Sequence, residues 1–100
     1  MAEKVKLNGG LDKTVTWIWL EAGQLKVEFY DFGELAQKMF GNDIAYTLTV
    51  NDMTRLFSLS RQSEASLIKW MAENFQSHFG IRRWLEKNEI GFSIERESWA

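Results

Sequence analysis

One hundred residues supply a single domain with one core and too little chain for two. Apolar residues make up 45% of the chain and five tryptophans are present, which excludes a disordered polypeptide. The absence of cysteine rules out disulfides, thiolate catalysis and cysteine-ligated zinc, and agrees with a cytoplasmic location.

The formal charge is −2, but it is unevenly spread. Glu21, Glu28, Asp31, Glu34, Asp43 and Asp52 share a stretch with only Lys26 and Lys38, whereas every arginine lies from Arg55 onward. Most such asymmetry reflects solvated faces; the sharper reading is an acidic surface for a basic partner. The apolar runs are too short to span a membrane, and the charged start MAEKVKLNGG lacks the apolar segment of a signal peptide, so an untargeted chain is expected.

In chain order, residues 4–7 read as a weak strand ending in the turn cluster Asn8-Gly9-Gly10. Residues 14–20 and 25–30 alternate strongly and read as a hairpin. Asp31 precedes Glu34 by three residues, the spacing of a capping box, and Leu35, Ala36, Met39 and Phe40 form one apolar stripe that stops at Gly41. Residues 44–50 alternate as a half-buried strand. Asn51 is placed to cap a short helix over 52–59, and Ser63 a longer one running through Leu67, Trp70, Met71, Phe75 and Phe79 to Gly80. Ile81, Trp84 and Leu85 mark a further helix, and Phe92 and Ile94 a final strand. The order βββαβαααβ predicts one α+β domain: a mainly antiparallel sheet of about five strands with helices on one face.

Two hairpin registers compete between the second and third strands. A three-residue loop, Glu21-Ala22-Gly23, places Trp17 opposite Val27 and Trp19 opposite Leu25, so both tryptophans face the core. A slip by one residue, through a two- or four-residue loop, places Trp17 opposite Glu28 and Trp19 opposite Lys26, but the two-residue loop needs Ala22 at positive φ, where a Cβ is costly. The three-residue loop is therefore the expected one. It leaves Ile18, Leu20, Lys26, Glu28 and Tyr30 on the outer face as a candidate binding patch, with Glu21 and Asp43 as acidic contributors.

Catalytic chemistry finds little support. His78 is the one histidine and has no His or Cys companion, and it reads as a residue at the C-terminus of the long helix. Asp31 and Glu34 are explained by capping. No phosphate-binding loop is present, and Arg82-Arg83 with Lys69 and Lys87 form too weak a basic set to indicate direct nucleic-acid binding. Trp70 and Trp84 sit in helical apolar stripes and read as core. No cofactor motif appears.

The segment LEAGQLKVEFYDFGELAQKMFGNDIAYTLTV, with Tyr30-Asp31 closing a strand and Phe40-Gly41-Asn42-Asp43 preceding the next, resembles small bacterial α+β proteins, some of which are immunity proteins. That resemblance implies a protein that neutralises a toxin by binding it, and it transfers no site residue. The expected function is thus non-enzymatic protein binding by a stoichiometric inhibitor, its partner a basic toxin or a nucleic-acid-binding protein. A phage-encoded inhibitor of a bacterial defence complex has the same appearance in sequence. The other class of reading is a homo-oligomeric module in which residues 4–7 or 92–96 pair with their own copy.

Overall fold

The computed structural model describes residues 4–7, 14–31 and 43–99. Among these, five strands form one antiparallel sheet in the order of the chain: β1 (Val5–Lys6), β2 (Thr14–Glu21), β3 (Gln24–Asp31), β4 (Asp43–Val50) and β5 (Phe92–Trp99). Three helices, α1 (Met53–Ser60), α2 (Glu64–Asn74) and α3 (His78–Lys87), all lie between the neighbouring strands β4 and β5. The expected α+β architecture is the one observed. The helix read over 31–41 and the Asn8-Gly9-Gly10 turn lie outside the described residues, except that Asp31 ends β3.

The sheet and helices share one core, and the chain's alternation explains why. Leu25, Val27, Leu48 and Val50 have no exposed surface and pack with Leu56, Leu67, Met71, Ile81 and Leu85 from the helices. α2 rests on β1 and β2, and α3 on β3. Backbone amides of Asn51 and Asp52 donate to the Gly91 carbonyl at 2.8 and 3.3 Å, tying the entrance of the helical excursion to its exit. Arg55 Nε donates to the Asn88 carbonyl at 2.8 Å, which joins α1 to the end of α3.

Helix ends differ from the sequence reading at two places. Asp52, not Asn51, caps α1, accepting from the Arg55 amide at 3.1 Å. The long helix stops at Asn74 rather than Gly80, because Phe75 adopts extended backbone and Ser77, also extended, stands at the N-cap of a separate helix. Ser63 does begin α2, its amide donating to Ser66 Oγ at 3.1 Å.

The larger correction concerns the hairpin. The observed register pairs Trp17 with Glu28, Trp19 with Lys26 and Glu21 with Gln24, leaving a two-residue turn, Ala22-Gly23. Both turn residues have positive φ, 52° and 77°, as a type I′ turn demands. The Cβ cost at Ala22 is about 1–2 kcal/mol. Against it stands an aliphatic row, Val5, Ile18, Val27, Leu48 and Ile94, that runs across all five strands only in this register. Ile18 is 0% exposed in that row, and burying one such side chain contributes about 1.5–3 kcal/mol. Packing against the helices therefore outweighs the preferred loop chemistry.

Candidate functional site

The register decides what the sheet presents on the side away from the helices. Successive residues of a strand point to opposite faces, so the positions between the core residues form an outer face. Its central row reads Lys6, Trp17, Glu28, Thr47 and Glu95 across β1 to β5. A second row holds Trp19, Lys26, Thr49 and Ser93, and a third Val15, Tyr30 and Ala45. Trp17 and Tyr30 are half-buried, while Trp19 is 7% exposed. Lys4 Nζ sits 4.3 Å from the Trp19 ring centroid and 3.8 Å from Glu28 Oε1, so one cation covers an aromatic face and offsets a carboxylate. Lys26 Nζ donates to Thr49 Oγ1 at 3.0 Å.

The residues expected to share one patch are divided by this geometry. Ile18 belongs to the core and has no surface to offer, and Leu20 packs on the helix side of the sheet. Lys26, Glu28 and Tyr30 lie on the outer face, together with Trp17 and Trp19; Trp19 is buried there, as the sequence reading expected, but on the face away from the helices, whereas Trp17 is only half-buried. Glu21 is exposed at the hairpin tip, whereas Asp43 begins β4 at the opposite end of the sheet, so the acids do not converge. Trp17, Lys6, Thr47 and Glu95 were missed because each needs the register before its face is known. The Ala22-Gly23 pair at the tip of an alternating hairpin was the available signal.

The other chemical candidates are also placed. His78 opens α3 instead of closing a helix: its amide donates to Thr16 Oγ1 at 3.0 Å, and its ring stacks on Phe29 at 5.0 Å and meets Phe79 edge-on at 5.5 Å. The residue is 4% exposed, and neither ring nitrogen has a hydrogen-bond partner among the described residues. Burial, reinforced by the Arg82 charge one turn along the helix, pushes its pKa down from 6.5 to about 4, so the ring is neutral at physiological pH. Arg82 Nε pairs with Glu86 Oε1 at 3.3 Å.

Trp70, Phe75 and Trp84 form a mutual aromatic cluster with centroids 5.7–5.8 Å apart, half-buried over the core. A shallow cleft of about 250 Å³ beside it is lined by Gln62, Ser66, Lys69, Trp70 and Glu73. Among the described residues no group of three His, Cys, Asp or Glu side chains could share a metal, and no helix is long and apolar enough to cross a membrane.

Comparison with known proteins finds no matching family model, no matching curated protein and no matching solved structure. The outer face must therefore be interpreted from its own chemistry.

Proposed function

We propose that this chain is a non-enzymatic protein-binding module whose contact surface is the outer face of the sheet. The observation that supports the reading is the placement of Trp17, half-buried amid Lys6, Glu28 and Thr47, on the sheet face turned away from α1 to α3. Tryptophan is enriched where protein surfaces meet because one rigid side chain contributes a large contact area at little entropic cost. Its charged and hydroxylic neighbours keep the face hydrated when unbound and give a partner directional contacts.

Within that reading, the protein acts by occupying a surface rather than by transforming a substrate, as a toxin-neutralising or phage-encoded inhibitor does. A cytoplasmic location suits the cysteine-free chain. A purely basic target is less well matched than the sequence alone implied, since Glu28 already has Lys4 beside it and Glu21 and Asp43 stand at opposite ends of the sheet.

The test is capture from host extract by immobilised wild type, by Trp17→Ser and by the helix-side control Lys69→Ala. A partner retained by wild type and control but lost by Trp17→Ser supports the reading. Equal retention by all three refutes it.

A further inference from the structure

We infer that the outward edge of β5 receives one extended strand from a partner protein, running antiparallel, with apolar side chains on the helix side and a lysine or arginine opposite Glu95. This surface is the margin of the sheet, distinct from its outer face.

The two edges of the sheet are built differently. β1 is two residues long and is flanked and closed by lysines, Lys4 and Lys6, and both shortness and lysine blunt an edge. β5 is eight residues long, contains neither proline nor lysine, and pairs with β4 without a bulge, from Trp99 opposite Asp43 to Phe92 opposite Val50. Among the described residues no strand lies beyond it. Half of the backbone N–H and C=O groups of a strand paired on one side point away from its neighbour, and they offer a ladder to another strand.

Side chains at this edge specify what is added. In the helix-side row, Ile18, Val27 and Leu48 have no exposed surface, whereas Ile94 at the end of the row is only half-buried. Phe92, opposite the fully buried Val50, is half-buried in the same way. Apolar residues opposite Phe92 and Ile94 continue the burial that the edge interrupts. On the other face Ser93 and Glu95 are exposed, and Glu95 has no ion pair among the described residues. A cation opposite it makes a favourable cross-strand pair.

A second copy of this chain is disfavoured as the occupant. Opposed residues of an antiparallel pair share a face, so the registers of greatest overlap between two β5 strands set Glu95 against Glu95 or Glu97 of the copy. The charged run Glu95-Arg96-Glu97 thus guards the edge against its own kind and leaves it open to a basic strand.

The probe is a fluorescent, end-capped peptide of about seven residues, the length of an ordinary strand, in which valine and lysine alternate. Anisotropy on the full chain should show saturable binding, with protection from hydrogen exchange gained along β5. Replacing the peptide's lysines by glutamate should weaken binding about tenfold, since an attractive cross-strand pair becomes a repulsive one. Glu95→Lys should reverse that preference, and Lys69→Ala on α2 should leave it unchanged. Glu95 is exposed, so the variant should fold, with circular dichroism as the check. N-methylation of the valine amides alone or of the lysine amides alone tests the ladder itself: one pattern should abolish binding and the other preserve it, a difference that attraction between charges does not produce. No binding of the lysine peptide, equal effects of the two methylation patterns, or a dimer in sedimentation equilibrium whose β5 amides are protected without peptide overturns the inference. Loss of a captured protein on Trp17→Ser bears only on the outer face, so either surface can fail without the other.

Discussion

Acidification should destabilise this protein through His78, by an amount that follows from the ring's surroundings. The ring is 4% exposed between Phe29 and Phe79, with Thr16 receiving only the backbone amide. Among the described residues no partner accepts a second ring proton, and Arg82 opposes one. In the unfolded chain the imidazole binds a proton below pH 6.5, whereas in the folded chain it does so only near 4. Stability from the neutral ring is therefore complete above 6.5 and drains away as the pH falls toward 4.

At pH 5 nearly all unfolded chains and few folded ones carry the proton, which corresponds to a loss of about 2 kcal/mol relative to pH 8. The assay is urea unfolding followed by tryptophan fluorescence at pH 8 and 5, for wild type and His78→Phe. Carboxylates titrate in both proteins, so the difference between the two pH responses isolates the histidine. Phenylalanine retains the ring contacts and removes two buried nitrogens without partners, so the variant should be at least as stable at pH 8. If both proteins lose the same stability between pH 8 and 5, His78 is not buried and neutral, and its place at the head of α3 needs another explanation.

Other substitutions test the register and the caps. Ile18→Ala should cost about 2–5 kcal/mol because it opens a cavity in the core, whereas Trp17→Ser on the outer face should cost about 1 kcal/mol; the reverse ranking in thermal unfolding would reinstate the three-residue loop. Ala22→Asn should raise stability by about 0.5–1 kcal/mol, since asparagine tolerates the left-handed region that a type I′ turn requires. A destabilised variant would contradict the positive φ at that position. Gly23→Val should cost about 1–2 kcal/mol from backbone strain, since a Cβ there meets nothing closer than Glu64 Oε1 at 3.9 Å. Asp52→Ala should cost about 1 kcal/mol by freeing the Arg55 amide, and an unchanged midpoint in urea would show that the cap is idle.

The sequence by itself determined the elements and their class. Alternation at residues 14–20, 25–30 and 44–50 required strands, and the helical recurrence of Leu67 with Met71 and of Ile81 with Leu85 required helices, because each buries one face only when spaced that way. The break at Phe75 to Ser77 was less legible, since Trp70, Phe75 and Phe79 continue a helical stripe across it; their aromatic contacts with neighbouring helices and with Phe29 are tertiary. The candidate site depended on tertiary structure more completely. A hairpin with alternation on both sides can be paired two ways, and local turn preference favours the way that spares Ala22 a positive φ. That preference concerns one residue, whereas the choice of face concerns every residue of β2 at once, because side chains repeat with a period of two. Only when the helices pack against the row from Val5 to Ile94 does the balance shift, sending Ile18 inward and Trp17 and Trp19 outward.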